Sequence, residues 1–174
     1  MIVSVPTFSQ ATDNKLWGGI QVNGLLPVTE FNYDNGLKSS YLVRGLARYQ
    51  FSDMVTVELG MGYGILSGFD FNKKYWGTEI IPVDVRLLLK PFGADLPYLY
   101  AGVGSLIYKV KFFPTSVSPK AVRASDYNGC VPLGIGITKK LTETMSLDIS
   151  GGATYSFTDN LNYYRQGTSE DAYY

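Results

Sequence analysis

The chain has 174 residues, enough for one domain, and its formal net charge of zero leaves no global electrostatic case for a nucleic-acid partner. Charged residues make up only 17%, below the roughly 25% of an average soluble domain, while Tyr and Gly are abundant at 14 and 19 copies. No apolar run approaches the roughly 18 residues that a membrane helix needs, and a single Cys130 excludes an internal disulfide framework.

In chain order, residues 1–11 (MIVSVPTFSQA) come first. Ser9, Gln10 and Ala11 put small residues where a signal peptidase cuts, but the basic start and most of an apolar stretch are missing. They read as the remnant of an export signal, with a frayed N-terminal arm as the alternative. Residues 12–174 read as one β-barrel domain.

From Leu16 onward a period of two recurs, which marks strands, because successive side chains point to opposite faces. Leu16–Leu26 is an untidy first strand. In Ser40–Phe51, Tyr41, Val43, Ala47, Tyr49 and Phe51 alternate with Arg44, Arg48 and Gln50, while Leu42 and Leu46 break the rule. Met54–Leu66 is stricter: Val55, Val57, Leu59, Met61, Tyr63 and Ile65 alternate with Thr56, Glu58, Gly60, Gly62 and Gly64. In Ile80–Lys90, Ile81, Val83, Val85, Leu87 and Leu89 face Asp84, Arg86 and Lys90, with Leu88 the exception. Tyr98–Val110 is a fifth strand, Gly129–Thr138 a sixth and Met145–Phe157 a seventh, the last with Asp148 on its polar face. Asp171–Tyr174 reads as the first residues of an eighth.

The connections alternate as well. Ser52-Asp53, Pro91–Pro97 and Leu141–Thr144 are short; Thr29–Lys38, Ser67–Gly77, Lys111–Asn128 and Thr158–Asp171 are long and polar. An up-and-down antiparallel barrel with short turns at one end and long loops at the other produces this order, as transmembrane barrels do. In a soluble barrel the small, glycine-rich face would have to serve as the water-facing surface, which it does poorly. With the faces reversed, oily residues meet lipid and glycines fill a narrow lumen. Tyr41, Tyr49, Phe51, Tyr63, Tyr155 and Phe157 then fall near strand ends, where an aromatic girdle sits. A sheet in lipid leaves no open edge, so a truncated eighth strand is expected, with the first and seventh strands flanking a gap.

Trp17-Gly18-Gly19, Pro97-Tyr-Leu-Tyr-Ala-Gly-Val-Gly104 and Gly134-Ile-Gly136, in this order and with this loop alternation, resemble the eight-stranded outer-membrane β-barrel domain of the OmpA type. The resemblance covers Leu16 to Tyr174. It implies an anchor in the outer membrane of a bacterium with a two-membrane envelope, contributing to envelope integrity, adhesion or slow solute leakage.

The candidate site is the set of charges at lumen parity: Arg44, Arg48, Glu58, Asp84, Arg86, Lys90 and Asp148. Isolated buried charges are expensive, and eight strands leave just enough room for side chains. These residues are therefore expected to pair and plug the lumen; a solute-selective constriction and catalytic carboxylates are the alternatives. The turn after Phe51 places Arg48 across from Glu58, so these two are expected to form an ion pair. The Gly-x-Gly repeats lie inside strands, whereas a phosphate loop must open a helix. With no His, the usual base of Ser and Asp chemistry is missing, and Cys130 reads as a small space-filler.

A non-enzymatic structural barrel without cofactor or metal is the leading expectation. A narrow passive pore is second, and a soluble ligand-binding up-and-down barrel third. Outer-membrane lipid is the expected partner, lipopolysaccharide a further one at Lys109, Lys111, Lys120 and Arg123, and the chain is expected to be a monomer.

Overall fold

A computed structural model describes residues 3–13, 15–28, 40–69, 75–91, 97–112, 125–143, 145–157 and 172–173. The described residues are all β: β1 (Val3–Asp13), β2 (Leu16–Leu25), β3 (Pro27–Val28), β4 (Ser40–Gln50), β5 (Val55–Phe69), β6 (Tyr75–Leu89), β7 (Pro97–Phe112), β8 (Ser125–Lys140), β9 (Ser146–Ser156) and β10 (Ala172–Tyr173). They form one antiparallel sheet in the order β1-β2-β4-β5-β6-β7-β8-β9-β10-β3. The seven long strands β2 and β4–β9 run up and down between neighbours, and the sheet curls into a barrel-like shape that brings β1 beside β9.

The two faces differ as the alternation requires. On β5, Leu59, Met61 and Tyr63 are exposed, whereas Thr56 and Glu58 are buried. On β2 the parity switches: Leu16, Ile20 and Val22 point outward, and Gln21, Asn23 and Leu25 inward. Short turns tie β4 to β5, where Phe51 N–H donates to the Val55 carbonyl, and β8 to β9, where Leu141 N–H donates to that of Met145.

Three expectations need correction. The loops expected at Ser67–Gly77 and Lys111–Asn128 are shorter than read, because β5–β6 pairing persists to Phe69↔Tyr75 and β7–β8 pairing starts at Lys109↔Ser125. Small and polar residues there continue the ladder, since backbone pairing does not depend on side-chain type. The N-terminal segment is also no frayed arm: Val3–Asp13 is a strand paired with β2. The position between the first and seventh long strands is therefore not an empty gap. β10 stands in it, paired with both β9 and β3.

Candidate functional site, a filled lumen

The inward face carries a connected network of charges in its middle. Arg44 donates from Nη1 to Glu58 Oε1 at 2.6 Å and from Nη2 to Asp84 Oδ1 at 2.5 Å. Arg48 donates from Nε to Glu58 Oε2 and from Nη1 to Asp148 Oδ2, both at 2.7 Å. Arg86 donates from Nε to Asp84 Oδ1 at 2.7 Å. Three guanidiniums thus meet three carboxylates: Glu58 serves all three arginines and Asp84 serves Arg44 and Arg86. This neutrality matters because an uncompensated charge in a low-dielectric interior costs several kcal/mol.

Register explains who meets whom. Arg48 stands directly opposite Glu58, and Glu58 directly opposite Arg86. Arg44 stands opposite Gly62, yet its guanidinium lies over Gly60: a Cβ built there would come within 1.9 Å of Nη2. The missing side chain gives the long arginine room to reach diagonally to Glu58. Other inward glycines do the same for tyrosines. A Cβ on Gly136 would strike the Tyr98 ring, and one on Gly134 or Gly152 would strike Tyr100. Glycine weakens a strand unless a close approach demands it, and here flat rings and guanidiniums make that demand.

Asp148 is held from two further directions. It accepts from Tyr98 Oη at 2.7 Å and Thr138 Oγ1 at 2.8 Å, besides Arg48. Gln21 accepts from Arg44 and donates to Ser150 Oγ at 3.2 Å, which joins β2 to β9 across the interior. Arg48 lies over the Tyr98 ring and Arg86 over that of Tyr100, at 5.8 and 5.1 Å from the centroids. Lys90, the seventh charge expected at the site, lies apart: its ammonium is 5.3 Å from the Trp17 ring centroid.

Toward the long-loop end the lumen changes character. Leu25, Leu42, Leu66, Trp76, Ile80, Leu106, Tyr108 and Val110 form a buried apolar cluster. Trp76 is 1% exposed, and its Nε1 has no hydrogen-bond partner among the described residues. Between the two plugs lies a cavity of about 20 Å³ lined by Gln21, Asn23, Asp84, Arg86, Cys130 and Ser150 among others, room for about one water. The lumen is filled from end to end among the described residues.

The outward face at the long-loop end bears a small polar group. Glu79 accepts from Tyr63 Oη at 3.0 Å and pairs with Lys111 at 3.2 Å, while Lys109 stands opposite it on β7. Lys120 and Arg123, expected beside these lysines, lie outside the described residues. Among the described residues no group of three His, Cys, Asp or Glu side chains is arranged to hold a metal ion.

Sequence reasoning missed Tyr98, Tyr100 and Thr138 as members of the network, and it missed the apolar plug. A signal was present in the breaks of the alternation: Leu42 is inward and belongs to the plug, and Leu88 is inward beside Tyr98 and Tyr100.

The family described as Domain of unknown function (DUF6089) matches residues 34–173, a range that takes in every strand from β4 to β10. No curated protein and no solved structure matches the chain.

Proposed function

We propose, from the premise that this chain belongs to the DUF6089 family, that it is a non-enzymatic β-barrel of the OmpA type, anchored in the outer membrane of a bacterium with a two-membrane envelope. One observation carries the reading: the chain is inside out relative to a soluble domain. Ile20, Val22, Leu59, Met61, Val85, Val103, Ile135 and Ile149 are exposed, while Arg44, Arg48, Glu58, Asp84 and Asp148 are buried. Water on the outer face would leave an apolar surface far larger than the few hundred Å² a soluble monomer tolerates. Hydrocarbon on that face removes the difficulty.

The dimensions suit this. A hydrocarbon band of about 25 Å crossed by strands tilted at about 40° takes roughly ten residues of each strand, and the long strands have 10 to 16. Tyr41, Tyr63 and Tyr127 at the long-loop end, and Tyr49 and Phe51 at the short-turn end, are exposed where two interfacial girdles would lie. Closure is of the eight-stranded type, with the eighth position shared by β10 and β1. A lumen blocked by a charge network and an apolar cluster in series favours an anchor over a passive pore. Its partners are outer-membrane lipid and, at Lys109 and Lys111, lipopolysaccharide, and it acts as a monomer.

The test is refolding from urea into detergent micelles, into lipid vesicles and into buffer alone, followed by electrophoresis with and without boiling. Folding with heat-modifiable mobility only where micelles or lipid are present is expected. A monodisperse fold in buffer would overturn the reading in favour of a soluble barrel.

A further inference from the structure

The seven long strands leave one sheet position between β9 and β2, and two separate segments of the chain share it. β10 is paired on both sides: Ala172 stands opposite Tyr155 and Val28, and Tyr173 opposite Thr154 and Pro27. β1 enters the same position from further down the β2 edge, with Val3 opposite Gly24 and Asp13 opposite Leu16. Both run antiparallel to the β2–β3 edge, so they share a direction and lie on one line.

The two occupants are held differently. β10 has a ladder on each side, although it is only two residues long. β1 is longer, but its register with β2 breaks twice, between Val5 and Phe8 and between Ala11 and Asp13. The pairing of β2 with β4 on its other side runs through ten consecutive pairs without a break. Among the described residues no ladder joins β1 to β9, although the two strands lie side by side. The β9 edge from Ser146 to Ala153 therefore carries backbone groups that β1 does not pair. Such an edge is a template for a further strand, and in hydrocarbon each unpaired group costs several kcal/mol.

Extending the β10 register one residue at a time shows that the two edges match. Successive rungs bring together Gly152 with Leu25, Gly151 with Gly24, Ser150 with Asn23 and Ile149 with Val22. The first and third rungs are inward on both strands, and the fourth is outward on both. The hydrogen bond from Gln21 to Ser150 spans the same position inside the lumen.

We propose that this position is a strand-acceptor site, and that the occupant it fits is an extended peptide strand of about ten residues running on in line with β10. It pairs with β9 and β2 together and displaces β1, which holds one edge irregularly. The rungs set its chemistry: apolar residues where it meets Ile149 and Val22, and small polar residues where it meets Ser150 and Asn23. β1 is the exchangeable occupant of a site whose two edges are built for a regular strand.

The test uses the full chain with Cys130→Ser and Ile149→Cys, folded in whichever medium supports it. The probe is a synthetic peptide that begins at the rung opposite Ala153 and alternates valine with serine, with one cysteine at the rung opposite Ile149. A disulfide at that rung is expected, in roughly tenfold excess over a Ser150→Cys variant, because the face pattern keeps an outward cysteine on the peptide away from an inward one on β9. Exposure of Phe8 to chymotrypsin is expected to accompany it. A peptide with valine and serine exchanged serves as the control. Equal cross-linking at Ile149 and Ser150, equal cross-linking by the exchanged peptide, or β1 left protected when the peptide is bound, would each overturn the proposal. Folding without detergent would refute the membrane reading but leave this cross-link readable, so the two failures are distinct.

Discussion

Gly60 and Arg44 use one volume: the guanidinium of Arg44 fills the space in which any side chain at position 60 would begin. The pair shows how a narrow lumen holds three arginines. A glycine on one strand makes room for a long side chain from the next, and the charge is carried two rungs along to its carboxylate.

Replacing Gly60 with Val should therefore expel Arg44 from its place between Glu58 and Asp84. Overpacking typically costs about 1–3 kcal/mol, and the displaced charge adds to that. Gly24, whose added Cβ would meet nothing within 4 Å, is the control, and Gly24→Ala should cost well under 1 kcal/mol (roughly 0.5 or less). Urea unfolding of both variants in lipid vesicles, followed by tryptophan fluorescence, measures the difference.

Arg48→Met should be among the most damaging single changes. It leaves Asp148 without a guanidinium among the described residues, with only the Tyr98 and Thr138 hydroxyls. Breaking a buried charge pair from one side costs about 3–5 kcal/mol. The expected result is a large fall in the urea midpoint with no rise in planar-bilayer conductance, because the apolar cluster around Trp76 still blocks the lumen. A conducting Arg48→Met variant would show that the charge network alone seals the barrel.

Depth along the outer face provides another test. Leu59, 54% exposed and within the span of β5, should cost about 2–4 kcal/mol when changed to Arg, as a cation in the hydrocarbon does. Met54, as exposed but in the short turn before β5, should cost about 0–1 kcal/mol. Val85 and Ile135 should follow Leu59. If Leu59→Arg and Met54→Arg unfold in lipid at the same urea concentration, the outer face does not meet hydrocarbon.

The two tryptophans report the lumen separately. Trp76 is enclosed by the apolar cluster, whereas Trp17 is only half-buried and lies near Lys90. A Trp17→Phe variant should emit at short wavelength and resist acrylamide quenching. A Trp76→Phe variant should be quenched more readily and lose about 1–3 kcal/mol, from the cavity left by the smaller ring, with no N–H partner forfeited.

Much of the sheet was legible because its signal is local. Alternation in Met54–Leu66 and in the other six long strands sets which residues share a face, and short turns set which strands are neighbours. The Arg48–Glu58 pairing could be counted from the turn alone, since an antiparallel hairpin with a given turn has one register. Strand ends were less legible: Ser67–Phe69 and Ser125–Asn128 have loop-like composition, and only the pairing of a neighbouring strand extends them.

By itself the sequence determined the all-β class, the up-and-down order, the opposite character of the two faces and the inward placement of most of the charges. Each follows from a period of two read over ten or so residues. Tertiary structure decided what a period cannot carry. Arg44 reaches Glu58 and Asp84 only because Gly60 leaves space beneath it, and Tyr98 on β7 meets Asp148 on β9 only because Gly136 on the strand between them, β8, leaves room for its ring. Leu42 and Leu88 are faults in an alternation until the curl of the sheet places them inside. The sharing of one sheet position by β1 and β10 depends on where β9 meets β2 after seven strands of accumulated twist. That nearness is a property of the whole curled sheet, and no stretch of sequence contains it.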